Sequence, residues 1–230
     1  KIAREAITMV RNRGDLVPLK RIDTMKIASV ASGVEKEQVF QRYMNHYTEV
    51  THFQVPKKVS EKQQKQLLKD LEGFDLIVFS VHNTSSFPFR NFGISSEEQA
   101  LADTLAKLKP VVINIFGIPY ALNKFENPQK FESVLISYED REEMQKAAAQ
   151  ALFGGIAVKG RLPVSLDAYP LHLGLETSKI RLSFEDFFDL GIKEKYIRKI
   201  DSIVTDGIEQ QAYPGCQILM AKDGQVFYNK

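Results

Sequence analysis

Five short runs of β-branched or apolar residues punctuate the first two thirds of the chain: 26–31 (KIASVA), 48–55, 75–81 (DLIVFSV), 111–116 (VVINIF) and 133–138 (SVLISY). They read as strands. Three lack polar alternation, which predicts burial on both faces of a sheet. Between them lie stretches with helical spacing of apolar positions, at 35–46, 60–71, 95–108 and 140–153. Strand and helix therefore alternate, which predicts βαβ units and a mainly parallel sheet sandwiched between helices. Ser60 with Gln63, Ser95 with Glu98 and Asp140 with Glu143 carry the spacing of capping boxes at three helix starts. Gly154 and Gly155 follow the alanine-rich run 147–151 and supply the stop, because glycine adopts the left-handed backbone that ends a helix.

Beyond Leu166 the pattern changes. Residues 167–192 hold Pro170, Gly174 and Gly191 and no sustained period, so they read as an extended linker hugging the surface. Residues 195–211 then place Tyr196, Ile197, Ile200, Ile203, Val204 and Ile208 on one helical stripe. Two strand-like runs around Asp223-Gly224 predict a hairpin. A helix plus a hairpin is too small to stabilise its own core, so this tail reads as the start of a second domain.

Composition narrows the classes of function. With 43% hydrophobic residues the chain can bury a core without metals or disulfides. Thirty-one basic against 29 acidic side chains leave a net charge of +2, which gives no basic surplus for nucleic acid. No apolar run is long enough for a membrane span. Cys216 stands alone and reads as a small hydrophobe, and no CxxC or HExxH is present. No cofactor or metal is implied. The chain opens without Met, so Lys1 is expected to lie inside a longer parent.

The search for chemistry yields little that is self-contained. Gly154, Gly155 and Gly160 follow a helix instead of preceding one, which disfavours phosphate cradling. Of the acidic pairs 97–98, 139–140, 142–143 and 185–186, the first three read as charges placed at helix starts. Neither GxSxG nor Ser-x-x-Lys occurs. His82 is the one histidine with a suggestive position: it follows strand 75–81 and opens the polar loop 82–93 (HNTSSFPFRNFG), where open α/β sheets face their ligands. It caps the strand by hydrogen bonding or serves binding.

Four stretches together resemble one family: 6–19 (AITMVRNRGDLVPL), 75–83, 114–122 (NIFGIPYAL) and above all 152–166 (LFGGIAVKGRLPVSL). They look like the "LL-K-N…LPL" opening, the "G-x-PY" strand end and the "LFG…GRLP" close of the C-terminal α/β domain of glycoside hydrolase family 3. The resemblance implies a flavodoxin-like three-layer sandwich over 1–170, a linker at 171–192 and a separate piece at 193–230. That piece, with its helix, "PG" and "A-KDG-V", resembles the opening of a serine β-lactamase or penicillin-binding-type domain, broken off before its nucleophile.

For function the family resemblance implies a parent glycosidase acting on terminal β-linked sugars, with its aspartate nucleophile on a barrel domain outside this sequence. No acidic insertion matches the acid/base glutamate of the glucosidase-like members, which tilts toward the β-N-acetylhexosaminidase-like subgroup. The segment itself is then an inactive scaffold packed on the barrel, and no catalytic residue is assigned to it. Candidate sugar contacts are His82, Asn83, Arg90 and Asn91. Arg90 among Phe87, Phe89 and Phe92 suits a sugar platform or, by the usual make-up of interfaces, a contact with the barrel. A periplasmic or extracytoplasmic location is suggested by the resemblance alone. The competing reading is a free-standing flavodoxin-like binding or signalling domain.

Overall fold

The computed structural model describes residues 2–230, which fall into two compact units that divide between Ile180 and Arg181. The first opens with a short helix α1 (Ile2–Ala6) and is built on a six-stranded sheet ordered β1-β6-β5-β4-β2-β3, with β1 at Thr8–Asn12. Strands β2 (Ile27–Ser32), β3 (Val50–Val55), β4 (Leu76–Val81), β5 (Val111–Ile115) and β6 (Ser133–Ile136) run parallel. Their spatial order, counted along the chain, is 2-1-3-4-5, the flavodoxin-like arrangement.

Four of these strands, β2, β4, β5 and β6, are buried along their whole length. Alternate residues serve opposite faces. Ile77, Phe79 and Val81 of β4 point to helices α3 (Glu61–Asp70) and α4 (Ser96–Leu108), with Leu67, Leu71, Leu101 and Leu105. Leu76 and Val78 point to α2 (Val39–Met44) and α5 (Glu142–Phe153), with Phe40, Met44, Ala148 and Leu152. Burying this surface on two faces at roughly 25 cal/mol per Å² is the dominant favourable contribution to folding.

The capping boxes at Ser60/Gln63 and Ser95/Glu98 form as the spacing predicts. The third does not. Helix α5 begins at Glu142 with Arg141 at its N-cap, and Asp140 turns away to bind other groups. The pair 139–140 is therefore not a helix-start charge pair. Helix α2 is shorter than the stretch 35–46, because Gln38 and Gln41 close a capping box that starts it at Val39. Gly154 ends α5 with φ 72°, and the N–H of Gly155 reaches the Gln150 carbonyl at 2.8 Å, so the double glycine is the helix stop.

One strand escaped the hydrophobic pattern. Strand β1 (Thr8–Asn12) is antiparallel to β6 and bulged between Met9 and Arg11. Its free side is covered by the returning chain. Gly160 N–H donates to Ile7 O and Leu175 N–H donates to Met9 O at 2.7 Å. A Cβ at Gly160 would collide with the Ala6 and Ile7 carbonyls, so this close approach requires glycine. Residues 162–173 form no strand; they fold back on themselves through Leu162 N–H to Leu173 O and a Leu166/Tyr169 bridge.

The second unit holds β7 (Ser183–Phe184), α6 (Glu194–Glu209) and the hairpin β8 (Leu219–Lys222) and β9 (Gln225–Asn229), with the turn at Asp223-Gly224. Of α6 only Ile197 is buried. Tyr228 Oη donates to Asp201 Oδ1 at 2.7 Å and Lys230 Nζ donates to the same carboxylate at 2.8 Å, tying hairpin to helix.

Candidate functional site: the carboxyl ends of β2, β4 and β5

Strands β2 and β4 are neighbours whose chains leave in opposite directions, which makes their carboxyl ends the crevice where such sheets bind ligands. Here the crevice is filled from within. Glu98 is fully buried, accepts from Ser32 Oγ at 2.8 Å and caps α4 through Ser95 N–H at 2.9 Å. Gly33, at φ 84°, leaves no room for a Cβ against the His82 carbonyl and the Glu98 carboxylate. Asn83 closes the top by donating from Nδ2 to Gly33 O at 2.7 Å. A phosphate entering this crevice would meet a carboxylate.

His82 lies just behind, fully buried and stacked on Phe116 with ring centroids 4.7 Å apart. Its Nδ1 lies 2.9 Å from Asp140 Oδ1 and its Nε2 lies 3.0 Å from Ser80 Oγ. A carboxylate only accepts, so the Nδ1 proton points to Asp140, while the second ring nitrogen is engaged by the Ser80 hydroxyl. Asp140 also accepts from Asn83 N–H at 2.9 Å and from Gln145 Nε2 at 2.8 Å. Burial pushes the Asp140 carboxyl up, but the hydrogen bond and charge of His82, with the Asn83 and Gln145 donors, hold it below the usual carboxylate range. The order Asp140, His82, Ser80 is that of a nucleophile relay, yet Ser80 is fully buried on a core strand and no substrate reaches its Oγ. Its work is to hold the base of the loop.

That loop, 82–93, is pinned at both ends. Lys57 Nζ donates to Asn83 O at 2.5 Å and to Gly93 O at 2.6 Å, and Ser85 N–H bonds Phe92 O at 2.8 Å. Thr84 Oγ1 donates to Phe116 O at 2.7 Å, an approach open only because residue 117 is glycine. Asn83, Asn91 and Phe92 all have positive φ, so the rim is held in backbone conformations that non-glycine residues rarely adopt. Asn91 Nδ2 is spent on Ile94 O at 2.6 Å.

The tip faces solvent. Phe89 is 79% exposed and Phe87 51%, and the Arg90 guanidinium lies 5.7 Å from each ring. Beside them Phe92 stacks on the exposed Tyr120, 6.3 Å between centroids, and Lys124 lies 5.6 Å above Phe92. Of the four residues singled out by sequence, the fold gathers all on one loop. Both ring nitrogens of His82 are engaged inside it, whereas Asn83 and Arg90 are exposed and Asn91 half-buried. Sequence reasoning missed Asp140, Lys57 and Tyr120. Tyr120 was legible in the strand-end segment GIPY; Asp140 and Lys57 had no signal, since their partners lie 58 and 26 positions away.

Residues 7–196 match the family model described as "Glycosyl hydrolase family 3 C-terminal domain". No curated protein matches the chain. Two similar solved structures are a fungal multi-domain β-N-acetylglucosaminidase of glycoside hydrolase family 3 (21% identity, TM-score 0.58) and a family 3 β-N-acetylglucosaminidase from Paenibacillus sp. (19%, 0.58). Each is matched over 76% of this chain, which covers 20% and 32% of them respectively. A β-glucosidase from Listeria innocua is similar at 16% identity and TM-score 0.56, over 69% of this chain and 25% of its own. The chain thus spans a fifth to a third of the lengths of these structures, and at such identities the likeness is one of fold.

Proposed function

Because this chain belongs to the family of glycosyl hydrolase family 3 C-terminal domains, we propose that it is the non-catalytic α/β part of a glycosidase whose barrel domain carries the chemistry. Residues 1–170 form the body of the scaffold, 171–192 the link, whose first part to Ile180 packs back on that body, and 193–230 the opening elements of a β-lactamase-type domain. The observation that carries the reading is the pinned loop 82–93, which holds Phe87, Phe89 and Arg90 out at the carboxyl edge of the sheet. Exposed aromatic and arginine side chains of this kind are the usual anchors of an interface. The loop is therefore the surface that meets the barrel, with Asn83, Arg90 and Asn91 at the edge of the sugar cleft and His82 positioning them through Asp140.

The substrate class is terminal β-linked N-acetylhexosamine, supported by the lack of any acidic insertion resembling the glucosidase acid/base. For residues 193–230 the support is the order of elements, a helix followed by a hairpin turning at Asp223-Gly224. The test is direct. The purified 230-residue chain is assayed on aryl β-N-acetylglucosaminide, aryl β-glucoside and nitrocefin, with no turnover expected of any. Hydrolysis of one of them by the pure chain defeats the scaffold reading and favours a self-contained enzyme.

A further inference from the structure

Between β5 and β6 the chain crosses one face of the sheet without an α-helix, through two short 3-10 turns, Pro119–Lys124 and Pro128–Lys130. Against them lies the tight turn of residues 166–169. The two segments enclose a cleft of about 290 Å³ that shares no residue with the loop 82–93. From this geometry we propose that the cleft is a binding site for a small neutral polyhydroxylated molecule of monosaccharide size.

The cleft is lined by Tyr169, only 7% exposed, and its Oη has no hydrogen-bond partner among the described residues. Folding stripped this hydroxyl of water and gave it nothing in return, an arrangement that is unfavourable unless a ligand or water supplies the partner. Burial pushes the phenol up, outweighing the nearby Arg11, so it remains a hydrogen-bond donor at neutral pH. One wall is Asp167. Its Oδ1 accepts from Asn123 Nδ2 at 3.0 Å while its own N–H donates to Asn123 Oδ1 at 3.3 Å. This reciprocal pair fixes the carboxylate in the lining of the cleft, with the second oxygen left outside the pair. Gln129 offers an amide from the other side, and Phe125 and Pro128 add apolar surface.

This set of groups selects its ligand. A fixed carboxylate accepts from adjacent hydroxyls, an amide both donates and accepts, a phenol donates, and a ring face packs against C–H groups. Among the described residues no Lys or Arg lines the cleft, so an anionic ligand would face Asp167 and Glu126 uncompensated. Among the described residues no group of three His, Cys, Asp or Glu is placed to hold a metal. The volume lies at the lower limit of ligand pockets, roughly 300–1,000 Å³, which favours one sugar ring over a chain.

The experiment is an NMR titration of the 230-residue chain with D-glucose, N-acetylglucosamine and inorganic phosphate at millimolar concentrations. It follows the side-chain amides of Asn123 and Gln129 and the ring of Tyr169. Saturable shifts of all three with a sugar are expected, weakened about tenfold in Tyr169→Phe and in Asp167→Asn, each of which removes one hydrogen bond of the site. Tyr169→Phe should melt at the same or a higher temperature, because an unpaired buried hydroxyl is removed; a merely structural tyrosine would lower it. Absence of saturable shifts with either sugar, shifts indifferent to both substitutions, or a response to phosphate alone would overturn the proposal.

Discussion

Asp140 and His82 meet at 2.9 Å across 58 positions of sequence, and their contact fastens the end of β6 to the end of β4. The carboxylate is held by three donors: the imidazole, the Asn83 N–H and the Gln145 amide. Through it, helix α5 and the loop 82–93 share one anchor.

The first prediction concerns that anchor. Asp140→Asn should destabilise the first unit at neutral pH by about 2 kcal/mol, since charge-assisted bonds are lost and a buried imidazole N–H is left poorly matched. Because the carboxyl is depressed in the fold, its contribution is present above the unfolded value and lost as pH falls through the folded one. The gap between wild type and variant in urea melts should therefore close below about pH 4. A gap that is independent of pH would show that the charge of Asp140 has no part in the anchor.

The second concerns where the first unit ends. A chain ended after residue 170 should be less stable than one ended after residue 180 by at least about 3 kcal/mol. It loses the backbone bonds Leu175 to Met9, Thr177 to Val158 and Ile180 to Gly154, worth about 1 kcal/mol each, and the packing of Leu173 and Leu175. Equal denaturation midpoints for the two chains would place the boundary at 170.

The third separates stability from docking. Phe89→Ala and Arg90→Ala should change the melting free energy of this chain by less than about 0.5 kcal/mol, because both side chains are exposed. In a longer polypeptide with a barrel ahead of this segment, the same changes should weaken the docked state by about 2 kcal/mol, readable as faster limited proteolysis between the domains. Unchanged proteolysis would remove the loop tip from the interface.

The fourth lies in the second unit. The Tyr228 hydroxyl is pushed up to about 12, chiefly because it donates to Asp201. A group raised on folding stabilises fully below its unfolded value and loses that contribution as pH climbs through the folded one. Following tyrosinate absorbance, Asp201→Asn should bring one of the eight tyrosines back toward the ordinary range, and Tyr228→Phe should delete the latest-titrating step. A titration curve unaltered by either change would refute the bond.

Strands β2, β4, β5 and β6 were legible because central parallel strands are apolar on both faces and their runs stand out against any background. Strand β1 was not, since TMVRN is short, half polar at its end and defined by its pairing with β6, more than a hundred residues away. Helix starts at Ser60 and Ser95 followed from local chemistry. The reading of Asp140 as a cap failed for the same locality, because its partners His82 and Asn83 outcompeted the helix N–H groups and no neighbour in sequence announces them. The cleft at Tyr169 was equally hidden: Asn123 and Asp167 become a pair only when the fold brings together residues 44 positions apart.

The bond from Leu175 to Met9 sets the closing segment of the first unit beside its first strand. The exit of the unit therefore runs beside its entry strand. Joining that closing segment to the start of the unit by a short linker and opening the chain at an exposed loop elsewhere should yield a circular permutant that still folds.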